Sequence, residues 1–327
     1  MLDLVLLLLG GVLLYFGAEW LVSGSSSLAL SLRIPKLLVG LTVVAYGTSA
    51  PEAVVGVQAA RTQHADMALG NVVGSNIANL GLILALSVLL RPARVSGVLR
   101  SREVPVLLLT AIALPHLLLD GRVSWRESAL LLSGAAAYTA WMVADARQRD
   151  RFAQAKEAGE TAAAAADAAG GPTQSRQVGR SLGIALVGLL LLIAGGQLFV
   201  QSATALARSW GVSERIVGLT LVAVGTSLPE LATSLIASAK GHAEIAVGNV
   251  VGSNIFNVLL CLPASAIAGP VGAPLSAVAP DLVAMVCMTL LGCLFLRSER
   301  QITRAEGAIL LLLYIAFLVY LSWIAVR

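Results

Sequence analysis

Charge is scarce in this 327-residue sequence: Asp, Glu, Lys and Arg together make up 12%, about half the roughly 25% of an ordinary soluble domain. A chain so poor in charge cannot clothe a water-facing surface. With 57% apolar residues and a mean hydropathy of +0.86, it reads as a membrane protein. Sulfur is scarce as well. Cys261, Cys287 and Cys293 show no metal-ligand spacing and lie in apolar runs, so buried packing is their default role. There is no His-Glu-x-x-His motif and no aspartate pair in apposed helices, which leaves an intramembrane enzyme without support, and nothing calls for a cofactor. No EF-hand loop is present. The net charge of +4 is no nucleic-acid signal, because the basic residues fall in the loops of a membrane protein, where they report orientation. Asp3 stands where a secretory signal carries positive charge, and no small-residue cleavage site precedes Glu19, so the first apolar run is expected to stay.

What is there instead is apolar length. Runs able to cross a bilayer, which takes about 20 residues, lie near 2–30, 36–60, 66–90, 104–119, 125–145, 181–207, 214–239, 245–268, 275–296 and 305–325. They lack the alternation of barrel strands. The expected fold is therefore an all-α membrane protein of ten transmembrane helices. Counting Lys and Arg by loop gives 16 on the side of the odd-numbered loops against six on the other. By the positive-inside rule, both termini are expected outside and the central linker in the cytoplasm, in a plasma (inner) membrane.

One stretch occurs twice. Residues 39–79 align with 217–257 without a gap at an offset of 178, and 24 of the 41 positions are identical. The chain is two copies of one unit: residues 1–146 and 181–327, joined by a hydrophilic linker, 147–180, with room for some helix but too short for a folded regulatory domain. Five helices per copy is an odd number, so the second copy must enter the membrane from the opposite side. Inverted repeats with a site at their midplane interface are a common build of secondary transporters.

The duplicated stretch carries the polar residues. In Gly47-Thr48-Ser49-Ala50-Pro51-Glu52, Pro51 has no N–H to offer the preceding turn, so backbone oxygens around Ala45 to Gly47 are expected to seek another partner. Thr48 and Ser49 add hydroxyls and Glu52 a full charge. The second copy repeats the set with Ala223, Gly225, Thr226, Ser227 and Glu230. Next comes Gly70-Asn71-Val72-Val73-Gly74-Ser75-Asn76-Ile77-Ala78-Asn79, in which Ser75 and Asn79 share a helix face, with Ser253 and Asn257 as counterparts. The glycines fit helix packing. Asn79, an amide in lipid, does not.

A charged residue at the bilayer centre costs about 2.5–3.5 kcal/mol even on the milder scale, so Glu52 and Glu230 need a purpose. A salt bridge is the plain alternative, yet helices two, three, seven and eight hold Lys or Arg only at their ends, at Lys36, Arg61, Arg215 and Lys240. A cation site remains. Carboxylate, amide, hydroxyl and carbonyl oxygens suit sodium, calcium or magnesium rather than soft metals, and magnesium demands a tighter octahedron. Two carboxylates balance one calcium ion, and alternate occupancy by sodium would produce exchange. Glu19 in the first helix has Gln197 as its counterpart; it reads as an interhelical hydrogen bond or headgroup-level carboxylate, or as part of a cation or proton path. His64 and His242 sit at matched loop positions, with no clear part in transport.

Gly-Thr-Ser-x-Pro-Glu followed by Gly-Asn-x-x-Gly-Ser-Asn-x-x-Asn, duplicated in opposite halves, resembles the alpha repeats of the sodium/calcium exchanger family within the cation/calcium antiporter superfamily. The resemblance implies electrogenic exchange of sodium for calcium, a core of helices two, three, seven and eight, and long mobile helices one and six. It implies Glu52 and Glu230 as calcium carboxylates, with Thr48, Thr226 and the carbonyls of Ala45 and Ala223 completing the central sites. Ser49, Ser75, Ser227 and Ser253 fall to sodium, and Asn79 and Asn257 close the set. Some relatives carry aspartate at the place of Asn257, so the amide argues against potassium coupling and removes a titratable group. The expected partners are calcium, sodium and membrane lipid, without nucleic acid, and one chain suffices. The rival readings are a proton-driven calcium exchanger and a passive cation channel.

Overall fold

The computed structural model describes residues 2–32, 34–160, 172–210, 225–298 and 301–326. Apolar runs with no water to bond must satisfy their backbone internally, and each closes as a helix. In chain order these are α1 (Leu2–Ser31), α2 (Lys36–Arg61), α3 (Ala65–Leu90), α4 (Val104–Leu117), α5 (Trp125–Glu160), α6 (Pro172–Ser209), α7 (Leu228–Ala239), α8 (Ala243–Ala268), α9 (Leu275–Ser298) and α10 (Arg304–Val326). Among the described residues, seven helices are long and apolar enough to cross a membrane, in α1–α3, α6 and α8–α10. Helices α4 and α7 are shorter and α5 is more polar. The first part of the seventh apolar run, 211–224, lies outside the described residues.

Loop contacts sort the helix ends into two groups. At one end β1 (Ala93–Arg94) pairs antiparallel with β2 (Gln301–Ile302), Lys36 Nζ lies 3.2 Å from His242 Nδ1, and Arg304 Nε donates to the Leu89 carbonyl at 3.0 Å. At the other end Val123 N donates to Val271 O at 2.9 Å, and Gly269 sits so close to Ala60 that a Cβ would fall 2.3 Å from its carbonyl oxygen. Helix α2 therefore starts at the first end, where α7 finishes, and α3 finishes there, where α8 starts. Helix α2 thus runs opposite to α7, and α3 opposite to α8.

Helices α1 and α6 pack antiparallel along a seam of small residues. Gly10 meets Gly195, Gly17 meets Gly188, and Gly24 meets Ser181, so the pairs recur every seven residues along both helices. A Cβ on Gly188 would lie 2.4 Å from Leu21 N, and one on Gly17 2.7 Å from Leu192 N. Only residues without a side chain permit backbones this close. With part of α7 the pair builds a small apolar cluster of Leu14, Ala18, Leu21, Val22, Leu192 and Ala237. The main cluster joins α2–α5 and α8–α10. Its middle is α3 and α8, while Leu8, Leu109, Leu190, Leu294 and Leu312 point outward as a lipid-facing surface would require.

The stretch 147–180 has the room for helix that its sequence allows, since α5 runs on to Glu160 and α6 begins at Pro172; alanine-rich sequence favours helix once one has nucleated. Glu19 is claimed by Lys240 at 2.9 Å, both partly exposed, the bland outcome for that carboxylate. Cys287 is exposed, unlike Cys261 and Cys293. His64 and His116 are exposed, whereas His242 faces Lys36. Ahead of α4, Tyr138 donates its hydroxyl to the buried Glu103, and Arg102 pairs with Asp145.

Two predictions follow from this packing. Gly188→Leu should destabilise the protein by about 1–3 kcal/mol through overpacking, lowering Tm in detergent, while Gly11→Leu, with nothing within 4 Å of its Cβ, should leave Tm unchanged. At the first end, desolvation, then Lys36 and Lys240, hold the His242 imidazole below its ordinary value of 6.5. The folded state thus disfavours the imidazolium, so the stability present above that value falls as pH drops from it through the depressed folded value. Tm measured from about pH 7.5 to about pH 5 should decline, and His242→Gln should flatten that part of the decline.

Candidate functional site

Both signature stretches break at the serine. Ser49 has φ −81° and ψ 3°, and Ser227 has φ −90° and ψ 8°. A new helix starts immediately after each, with Pro51 or Pro229 in its first turn, where the missing N–H is no loss. This corrects the expectation of stranded carbonyls: Ser49 N still donates to Ala45 O at 3.0 Å, so that carbonyl keeps one lone pair rather than two. Ala223 lies outside the described residues. The break has a second effect, because Glu52 and Glu230 now occupy the first turns of new helices, where the positive end of the helix dipole favours a carboxylate.

The two breaks cross. Ser49 Oγ donates to Glu230 Oε1 at 3.1 Å, and Ser227 Oγ donates to Glu52 Oε1 at 3.1 Å. Each copy thus supplies the donor for the other's carboxylate. Both glutamates are 1% exposed, and no Lys or Arg among the described residues pairs with either. Around them the predicted residues assemble: Ser227 Oγ lies 3.4 Å from Ser75 Oγ, and Thr48, Ser75, Asn79, Ser253 and Asn257 are buried. Thr226 is half-buried. It borders a cavity of about 270 Å³ lined by Pro51, Gly196, Gln197 and Pro229, between the breaks and the end where Arg61 lies.

Helices α3 and α8 widen at matched places. A π-helical segment begins at Asn79 (Asn79–Leu84) and another at Asn257 (Asn257–Cys261); such turns disturb the regular ladder and recur at functional sites. Of the ten buried side-chain polar atoms without a hydrogen-bond partner among the described residues, five belong to predicted positions: Glu52 Oε2, Glu230 Oε2, Asn79 Oδ1, Asn257 Oδ1 and Ser253 Oγ. An unmet buried acceptor costs about 1–3 kcal/mol, more when charged. Natural folds rarely leave so many together. All five are oxygens, the donor set of a hard cation.

Residues outside the predicted set also enter. Asn71 and Asn249 bridge the copies, Asn76 Oδ1 accepts from Asn257 Nδ2 at 3.3 Å, and Cys261 Sγ lies 3.7 Å from the carbonyl of Ser49. The asparagines stand in the repeated Gly-Asn-x-x-Gly-Ser-Asn motif, four before or one after the serines, so their signal was the duplication itself. Cys261 has no such signal, since its counterpart is Ile83.

Comparison with known proteins agrees with this geometry. A family profile described as "Sodium/calcium exchanger protein" matches residues 2–144 and 180–323. The chain is 38% identical over 316 residues to the "Putative antiporter CaxA" of Alkalimonas amylolytica, covering 96% of each. It is 29% identical over 346 residues to the "Sodium/calcium exchanger MaX1" of Methanosarcina acetivorans, covering 98% of this chain and 99% of that one. A solved structure of the sodium-calcium exchanger NCX_Mj, soaked with sodium and calcium, superposes with a TM-score of 0.82 at 32% identity over 97% of each chain. The crossed carboxylates, the duplicated breaks and these likenesses together establish that the chain belongs to the sodium/calcium exchanger family.

Proposed function

We propose that this protein exchanges sodium for calcium across a plasma membrane by alternating access to a cage between two inverted five-helix repeats, residues 1–146 and 181–327, joined by 147–180. The observation that carries the reading is the crossed pair of serine–glutamate hydrogen bonds, which leaves the second oxygen of each buried carboxylate without a partner among the described residues. Two such charges on one enclosed cage repel each other unless a cation lies between them. Calcium, held by Glu52 and Glu230 with Thr48, Thr226 and the carbonyls of Ala45 and Ala223, cancels both. Sodium ions take the same region through Ser49, Ser75, Ser227 and Ser253. Asn79 and Asn257 contribute neutral oxygens. Because the sets overlap, one cation must leave before the other is held, and a cage that cannot hold both converts a gradient of one into movement of the other.

Ten crossings fit the opposite run of α2 to α7 and of α3 to α8. Lys36, Arg91, Arg94, Lys240 and Arg304 gather at one end, which becomes the cytoplasmic face with both termini outside. The cavity beside Thr226 then opens the cage toward the outer face. Both halves of the cage come from one chain, so a monomer suffices for transport.

The test uses purified protein in proteoliposomes. Calcium uptake should follow an imposed sodium gradient, be insensitive to a proton gradient, and change the membrane potential. Uptake that follows protons and ignores sodium would mark a proton-driven exchanger and sink the sodium reading; conductance without a counter-ion would mark a channel. Glu52→Gln and Glu230→Gln should each reduce exchange by about a hundredfold or more, from the roughly 3–5 kcal/mol typical of removing one partner of a buried charged contact, with Tm in detergent retained.

A further inference from the structure

Asn71 and Asn249 are absent from the ligand set above, yet each touches both copies. Asn249, on α8 and fully buried, donates Nδ2 to Ser234 Oγ at 3.0 Å and to the main-chain carbonyl of Glu230 at 3.5 Å. Its Oδ1 faces the other copy and accepts from Thr48 Oγ1 at 3.1 Å. Asn71, on α3, mirrors this: Nδ2 donates to the Glu52 carbonyl at 3.0 Å, and Oδ1 accepts from Thr226 Oγ1 at 3.4 Å.

The orientation of each amide is fixed by chemistry rather than choice. A main-chain carbonyl only accepts, so the edge of the amide turned toward Glu52 or Glu230 must be the NH2, and the edge left for the threonine must be the oxygen. The threonine can then only donate. Thr48 has the Val44 carbonyl as a second acceptor at 3.0 Å, which also takes a proton and gives none. No protein donor in these contacts uses the lone pairs of Thr48 or Thr226, and both remain for a cation. An amide turned the other way would donate to the hydroxyl and occupy one of them.

We infer that Asn71 and Asn249 are positioning residues of the transport site: each clamps the backbone of the glutamate in its own half and forces the threonine of the other half to point its lone pairs at the ion. This rests on the cation cage proposed above, with calcium as its ligand. The arrangement links the halves as well, since movement of either glutamate-bearing helix shifts the amide that sets the opposite threonine.

The experiment measures calcium binding to detergent-solubilised protein, by calcium-dependent Tm and by radioactive calcium retention, beside exchange in proteoliposomes. Asn249→Ala should weaken calcium binding about tenfold, the size of one misplaced ligand contact of about 1.4 kcal/mol, with the maximal exchange rate held within about twofold. Thr48→Val should weaken it similarly, and Thr48→Val with Asn249→Ala no further, because the amide acts through the hydroxyl. Asn249→Asp keeps an acceptor toward Thr48 but has no N–H for the Glu230 carbonyl, so it should weaken binding less than Asn249→Ala does. Asn71→Ala and Thr226→Val should repeat the pattern. Additive losses, wild-type affinity in Asn249→Ala, or loss in Asn249→Asp equal to that in Asn249→Ala would each overturn the inference. So would failure of both Asn249 variants to fold while Thr48→Val folds, since the amide is then a structural brace. If the unaltered protein binds calcium but exchanges it against protons, the sodium reading falls and the inference is judged on binding alone; if it binds no calcium, both fall.

Discussion

Two carboxylates held close together out of reach of water form the constraint around which this protein is arranged. Neither has a basic partner among the described residues, and each has one oxygen satisfied by a serine from the opposite copy. A buried charge with a single hydrogen bond is an unstable arrangement unless something else stabilises it. Two features of the fold do so in part. The helix breaks at Ser49 and Ser227 place both glutamates on positive helix ends. The crossing makes each carboxylate depend on the other half of the chain. Asn79 Oδ1, Asn257 Oδ1 and Ser253 Oγ, by contrast, have no partner among the described residues and add unmet oxygens rather than relief. What remains unbalanced is negative charge, and a cation is the simplest species that balances it.

Duplication explains why the geometry is reciprocal. Two copies of one sequence, with α2 opposed to α7 and α3 to α8, present the same side chains to a shared centre, so the contact from Ser49 to Glu230 has its twin from Ser227 to Glu52. The same holds for Asn71 with Thr226 and Asn249 with Thr48. The symmetry is incomplete where function tolerates difference. Asn257 bonds Asn76, Cys261 beside Ser49 has Ile83 as its counterpart in the other copy, and the Glu19–Lys240 pair has Gln197 and Thr62 at the equivalent places.

Much of this could be read from the chain before its fold was known, and what could not has a common cause. Helix positions were legible because bilayer thickness sets apolar length, and expected ends fall within a few residues of the observed ones for most helices. Glu52, Glu230 and their neighbouring hydroxyls were legible because a charge in an apolar run, repeated at a fixed offset, has no bland explanation. The partner of each serine was not, since 181 residues separate Ser49 from Glu230 and no local pattern encodes that meeting. The π-helical segments at Asn79 and Asn257 were invisible for a related reason: they widen a ladder whose sequence looks like ordinary helix. The break was misread in one respect. Proline was expected to leave carbonyls around Ala45 to Gly47 without a donor, whereas the Ala45 carbonyl keeps one from Ser49 N.

The packing also bears on how a cage that stays intact can face two sides. Contacts between α2 and α7 and their flanking helices α3 and α8 carry the crossed hydrogen bonds, so pulling these helices apart would break the site itself. Helices α1 and α6 stand differently. Their glycine seam joins backbone to backbone, which makes the pair one stiff unit, and its attachment to the rest is an aliphatic cluster of Leu14, Ala18, Leu21 and Val22 against the face of α7. Such contacts are non-directional and can be exchanged for similar ones one turn along. The ion pair from Glu19 to Lys240, partly exposed, adds at most about 1 kcal/mol of resistance. Under the proposed exchange, the low-energy motion is therefore the α1–α6 unit sliding over a fixed core, uncovering the cage from one side as it covers the other, while the serine–glutamate crossing is left undisturbed.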